Sequence, residues 1–495
     1  MKTMPKKVGF LILIFALLLA VTSCNKNKSD GIYDSIESQN ERNESLAETP
    51  NSTPTKKTKN NEMAIKKELS GKLNIAAPVL DVFQGNEKRN PLISAAEAFM
   101  TLHPGVIINL DIVYTTTVDE NMDKFRTQMA TGLMTGTAPD IVDVGLLPYD
   151  RYSESGLLCN LYELMNSDPS FEYNDYYDNI FEAFSYNDGL YAVPHNVSFL
   201  VSTMYKDFVK ATGVDFGAKD TVSFVEMFDI YDAYVKSNPS SEVVYMASGV
   251  SPFSMANENF NYLADYRNKK ARFDEPWFTE YQSRIKAMPI PPSIKITPDR
   301  HIMIANADTI AFEKNAKIMF NVANMFFSPQ VGAIRNIIAY DSGIFSYPVL
   351  HVEKDGKVRM SAAYDLLAIT EQSNNKELAW EFVKFFLSYY DDEIITNIPI
   401  NKSNAGLYIE NAVKETIALL EQEGTQINDS FDEITIRVTE IVDKYLSLCN
   451  AVWTFDTEMY YSLVYPELYD YVFDKKTLKE VTTSLQSKVT LHLNE

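Results

Sequence analysis

The sequence predicts an α/β protein of largely parallel sheets covered by helices, and three observations carry that prediction. Residues 72–144 alternate strand, helix, strand, helix and strand. The hairpin-turn signal Asn187-Asp188-Gly189 leads into two consecutive extended runs. Late in the chain, residues 376–388 have the periodicity of an amphipathic helix packed on a core.

The first strand is read at 72–77, before a loop containing Gly and Asn. The first helix follows at 91–102, where Asn90 can cap, Pro91 suits the opening position, and Leu92, Ala95, Ala96 and Phe99 share a face. His103-Pro104-Gly105 stops it. The β-branched run 106–114 is the second strand, and Asp119 opens a helix with Met122, Phe125 and Met129 on one side. After the loop 132–139 comes a strand at 140–144. In such sheets ligands bind beyond the carboxyl ends of the strands, which points to the loops 79–85 and 144–149. The runs 190–194 and 197–205 are extended and can carry the chain from one body to another. In the late helix Glu377, Glu381, Lys384 and Ser388 form the polar stripe, opposite Leu378, Phe382 and Phe386.

Composition narrows the function. The 495 residues are 45% hydrophobic, enough for two or three domains, and 45 Lys+Arg against 67 Asp+Glu give a net charge of −22. Without a basic stretch, a nucleic-acid partner is not expected. His103, His195, His301, His351 and His492 are too scattered for a metal site, three Cys cannot build a disulfide framework, and no cofactor motif is present. Neither GxSxG, HExxH nor a phosphate loop occurs.

Residues 1–23 read as a signal peptide: Lys2, Lys6 and Lys7 precede the apolar run 8–21, which is short for a membrane span. The run ends in Val21-Thr22-Ser23-Cys24, which resembles the lipobox of bacterial lipoproteins and implies lipidation at Cys24. Cleavage would remove the three Lys and leave −25. Residues 24–70 are polar, with Pro50 and Pro54, and form the anchor and a flexible tether. Cys159 and Cys449 can be either a disulfide or two free thiols.

Six segments together resemble the extracellular solute-binding proteins of ATP-driven importers, in particular the carbohydrate-binding family that includes maltose-binding proteins. Phe99 to Gly105 is similar to the family's F-x-x-x-x-P-G helix end, and Gly136 to Val142 to its G-x-x-P-D turn, with Ser155-Gly156-Leu157-Leu158 following. Asp188 to Pro194, with Tyr205-Lys206-Asp207, is similar to the crossover; Phe312 to Met319 resembles the F-x-x-G-x-x-A-M segment with Asn315 in place of Gly. Residues 373–388 resemble the late helix, and Leu491 to Glu495 the Y-L-N-E ending. The resemblance spans 71–495. It implies a two-lobed periplasmic-binding-protein-like fold, each lobe a mostly parallel sheet flanked by helices, joined by hinge strands and closing on a solute. Lobe 1 is expected at 71–196 plus 358–400, and lobe 2 at 197–357 plus 401–495.

The same resemblance selects binding residues from 29 Tyr and 28 Phe, too many for an aromatic alone to be informative. Just past the first and third strands it points to Asp81, a hydroxyl acceptor or a surface carboxylate, and to 144–149. Relatives place Trp and Asp where this chain has Val144 and Leu147, so Tyr149 is the nearest aromatic and Asp143 the nearest carboxylate. Asp140 belongs to its turn. Past Pro194, strand alternation separates His195 from Asn196 and Ser198, one set facing the cleft, with His195 either a contact or a structural imidazole. Phe253 falls where relatives carry a stacking aromatic, or packs in a core. Met325 and Phe327, beside Asn324, replace a pair of Trp, which argues against a long maltodextrin. Tyr364 and Asp365 form an aromatic–carboxylate pair. Of the three Trp, only Trp453 is placed to reach the cleft.

The expectation is therefore an exported, monomeric, non-catalytic receptor, lipid-anchored to the outer face of the cell membrane. It would capture a sugar or oligosaccharide and deliver it to an ABC permease. A binder of peptide or another small solute, a surface sensor and an anchored glycan-active enzyme are the alternatives.

Overall fold

The computed structural model describes residues 68–80, 90–115, 120–239, 242–303, 316–324, 333–338, 346–362, 365–391, 397–454, 456 and 459–494. Cys24, Asp81, Met325, Phe327 and Tyr364 lie outside them. Among the described residues no helix is long and apolar enough to cross a membrane.

The first sheet has the strand order Gly105–Thr115, Ser70–Leu80, Ile141–Asp143, Leu366–Ile369, Val193–Pro194. Its first three strands are parallel, and the last two pairings are antiparallel. Helix Pro91–Leu102 covers it as the sequence predicts: the Asn90 side chain accepts from Ile93 N at 3.0 Å, Pro91 opens the helix, and Leu92, Ala95, Ala96 and Phe99 are buried. Helix Lys376–Ser388 packs beside it, with Phe382 edge-on to Phe99.

The second sheet is built on the long strand Asn196–Met204. One edge pairs antiparallel with Lys317–Asn324, itself parallel to Val244–Ala247. The other edge takes Val349–Val352, Arg359–Ser361 and Ile398–Pro399, all antiparallel. Both sheets are thus mixed rather than mostly parallel, because a chain that passes back and forth between two bodies returns against the strands it left.

Register sorts the faces of this sheet. Phe199 opposes Met360 and Val201 opposes Leu350, and all four are buried in the first core. Ser202 opposes Val349 and Ser198 opposes Ser361 on the other face. Helices Lys402–Gln422 and Phe431–Leu448 bury their apolar residues in the first core, whereas Met459, Tyr460, Tyr465, Leu468, Val481 and Leu485 join the second. The segment 401–495 is therefore divided between the cores.

Two local features give direct tests. Gly406 lies inside helix Lys402–Gln422 with a Cβ position that meets nothing within 4 Å, so Gly406→Ala is expected to raise stability by about 0.5–1 kcal/mol in urea unfolding. Cys159 and Cys449 are buried free thiols; Cys159 Sγ donates to Thr370 O at 3.5 Å and Cys449 Sγ to Tyr445 O at 3.3 Å. Burial pushes the Cys159 thiol up to about 12 and raises Cys449 as well. Peptide mapping after maleimide treatment should find both sites unlabelled until the protein is denatured; labelling of either in the native state would contradict their burial.

Candidate functional site

The parallel strands Ser70–Leu80, Gly105–Thr115 and Ile141–Asp143 end on one edge of the first sheet, and three chain passages meet there. Leu367 lies across from Asp143 and Leu366 across from Pro194. His195 N donates to Asp365 O at 3.1 Å, and Ile400 N donates to His195 O at 3.1 Å. Asn196 and Val197 pair with Pro399 and Ile398. The segments around 195, 365 and 399 are in this way hydrogen-bonded into one junction.

Asp143 fastens that junction. Its buried carboxylate accepts from Asp365 N at 2.8 Å, Leu366 N at 3.3 Å and Gly145 N at 3.0 Å. Burial pushes its pKa up to about 7, against the pull of these three N–H groups. Its acceptor capacity is directed at the backbone 222 and 223 residues further on. Asp365, buried beside it, holds the left-handed φ of +61°, which Asp adopts more readily than most residues. Burial first and the neighbouring Asp143 second push it up to about 7, while a hydrogen bond from Asn196 opposes the rise.

His195 is fully buried with its ring 4.5 Å from that of Phe386. Burial lowers its pKa to about 4, so the ring is neutral. Nε2 lies 2.8 Å from Tyr389 O, and a carbonyl only accepts, so Nε2 carries the proton and Nδ1 accepts from Asn196 Nδ2 at 3.3 Å. Asn196 Oδ1 accepts from Asn397 Nδ2 at 3.2 Å, and Asn397 Oδ1 is buried with no hydrogen-bond partner among the described residues. The arrangement is a neutral relay of amide and imidazole groups alongside two carboxyl groups. It can offer hydrogen bonds to a polar, uncharged molecule and holds no metal-ligand cluster among the described residues.

The other expected residues are spread more widely. Tyr149 opens helix Tyr149–Glu154 and is buried, beside the Arg267 guanidinium. Ser198 is buried on the face it shares with Ser202 and Ser361. Phe253 is fully buried and stacked on Tyr465 at 4.6 Å in the second core. Asn324 ends its strand opposite Leu200. Asn397 and Arg267 are not singled out by the sequence: one is a lone amide in the Ile-rich run 394–400, the other sits at a hairpin tip, and neither position has a local signature.

The profile of bacterial extracellular solute-binding proteins matches residues 94–390, more than half of the chain. No curated protein matches by sequence. Solved structures with a similar fold include the sugar-binding protein MalE of Xanthomonas citri, 13% identical with a TM-score of 0.53 over 86% of this chain and 98% of that one. A periplasmic oligogalacturonide-binding protein of Yersinia enterocolitica is 13% identical, with a TM-score of 0.53 over 86% and 99%. An ABC substrate-binding protein of Listeria monocytogenes in complex with cycloalternan is 13% identical, with a TM-score of 0.50 over 86% and 99%. These similarities concern the fold, the two-lobed α/β architecture of periplasmic binding proteins. Such proteins bind rather than transform, and the family acts outside the cytoplasm. The chain belongs to the bacterial extracellular solute-binding proteins.

Proposed function

We propose that this protein is a lipid-anchored, non-catalytic receptor that captures a sugar or oligosaccharide between two lobes and delivers it to the membrane subunits of an ABC importer. In this reading the first lobe is 71–196 with 358–400 and the helices Lys402–Gln422 and Phe431–Leu448, which pack in its core, and the second is 197–357 with the helices after Met459. The observation that supports this most is the meeting of three chain passages, around His195, Asp365 and Pro399, on a buried polar cluster at the carboxyl edge of the first sheet. A hinge in that place lets binding energy select a closed state. In this reading Asp143, His195 and Phe253 hold the frame. Asp81, Tyr149, Asn196, Ser198, Asn324, Met325, Phe327, Tyr364 and Asp365 line the cleft, and Cys24 carries the lipid. A structure of similar fold in complex with cycloalternan, and another of an oligogalacturonide-binding protein, support the solute class.

The test is calorimetry of the full chain against mono- and oligosaccharides, with short peptides as controls. A solute that binds only the folded state at about 100 times its Kd stabilises by roughly 2.7 kcal/mol. A saturable rise in Tm with one sugar class, without product on long incubation, is expected. A rise with peptides alone would overturn the sugar assignment, and product formation would overturn the receptor reading. Cys24→Ala is expected to release the protein from membranes; unchanged membrane association would overturn the anchor.

A further inference from the structure

One cation of the second body reaches into the first. The hairpin of Ala264–Asp265 and Lys270–Ala271 is rooted in the second core through Ala264 and Ala271. Its turn is braced: Asp265 accepts from Asn268 N at 3.1 Å, Asn268 Nδ2 at 2.9 Å and Arg272 Nη2 at 2.8 Å. Arg267, carried on this turn, points away from its own core. Its Nη2 donates to the carbonyl of Ala183, a first-core residue, at 3.4 Å, and its Cζ lies 5.9 Å from the Tyr186 ring centre.

The receiving notch is acidic and aromatic. Tyr149, Asp150 and Glu154 come from one short helix, and the Tyr186 hydroxyl donates to Glu154. Burial raises the pKa of both Tyr149 and Asp150, and Arg267 is the cation that opposes the rise in each. Asp150 Oδ1 is buried and accepts no hydrogen bond among the described residues. A carboxylate oxygen left so is costly, and a guanidinium fork is the donor that fits it. The notch directly follows the loop 144–149 at the edge where the chain passages meet, so an approach of the bodies that satisfies Asp150 also narrows the space above that edge.

We propose that Arg267 is a positioning residue for solute capture, a clasp that pairs with Asp150 in the Tyr149–Glu154–Tyr186 notch when the two bodies close. The proposal rests on the receptor reading, and the experiment separates the two. In the full chain, Glu163→Cys and Lys236→Cys place spin labels at exposed positions, one on each body, while Cys159 and Cys449 are buried. Pulsed dipolar spectroscopy then reports the distance between bodies. Without solute, R267Q and D150N are each expected to raise the ratio of long to short distances about fivefold, with no further rise in the double variant, and R267K to fall between. Unchanged Tm in R267Q and D150N would show that the fold is intact. If both variants leave the distances unchanged, or their effects simply add, the clasp is wrong. If solute closes wild type and R267Q equally, the clasp fails and the receptor stands. If no solute binds in the calorimetric screen but R267Q and D150N open the bodies with the expected coupling, the receptor reading fails and the clasp stands.

Discussion

Asp143→Ala is expected to lower stability by roughly 3–5 kcal/mol at neutral pH, because it removes the acceptor of three backbone N–H groups at once. Asp365 and Leu366 are buried in the junction with their N–H groups on Asp143, and Gly145 N turns the chain after the third strand. Each orphaned donor costs about 1–3 kcal/mol, and water entering the space left by the side chain recovers part of the sum. Asp143→Asn keeps one oxygen but turns an amide toward an N–H, so about half that loss is expected. Urea unfolding measures both variants, with Asp123→Ala as the control, an exposed helical carboxylate expected to matter within about 0.5 kcal/mol. Hydrogen exchange should show the loss first at 141–147 and 365–369. An Asp143→Ala protein no less stable than the control would remove Asp143 from its role as the fastener of the junction.

The contrast between helix Pro91–Leu102 and Asp143 shows which information is local. Everything that starts and stops the helix lies within it or beside it: Asn90 as cap, Pro91 at the first turn, a four-residue apolar face, then His103-Pro104. Those residues were legible, as was the helix Lys376–Ser388 from its buried and polar sides. Asp143 could be placed near a cleft from the end of its strand, but not as an acceptor for backbone more than 200 residues away, because hydrogen-bond partners at that separation leave no pattern in a single sequence. Phe253 behaves alike: its stacking partner Tyr465 is distant in the chain, so an aromatic after Pro252 reads equally as ligand surface or core. The mixed character of both sheets was missed for the same reason, since strand direction is set by where the chain crosses and not by the residues that cross.

The structure also separates groups that a sequence shows only as acids, and this bears on how capture and stability compete. Asp143 and Asp365 share the junction with no cation among the described residues acting on either, and Asp365 is the one whose carboxyl is not wholly taken by backbone. A residue kept in an unfavourable electrostatic setting at such a place is the kind that function retains at the expense of stability.

Stability is accordingly expected to peak near pH 5 and to fall by a few kcal/mol as pH rises to 8, the opposite of simple acid denaturation. Asp143, Asp365 and Glu353 are buried carboxyls and Glu258 is a half-buried one, all pushed up to about 7 with desolvation the first cause in each. In the unfolded chain they lose protons near pH 4, so between about 4 and 7 the folded state binds more protons. Their contribution is fully present below the unfolded values and is lost as pH rises through 7. A second set works in the opposite direction: Asp232, Asp265, Asp355, Glu371 and Glu467 are held below the usual range by Lys and Arg partners, although burial alone would raise them. Their contribution is present above about pH 4.5 and lost below it, which closes the window on the acid side. The net charge of −22 adds self-repulsion that grows toward high pH. Urea midpoints measured from pH 4 to 8 test the shape, and a midpoint that climbs steadily to pH 8 would contradict it. Asp365→Asn isolates one of these groups: Asn tolerates φ of +61° and mimics the protonated acid, so the variant should match wild type at pH 5 and exceed it by about 1–2 kcal/mol at pH 8. If Asp365 also grips a solute hydroxyl, the same variant binds more weakly while folding more stably.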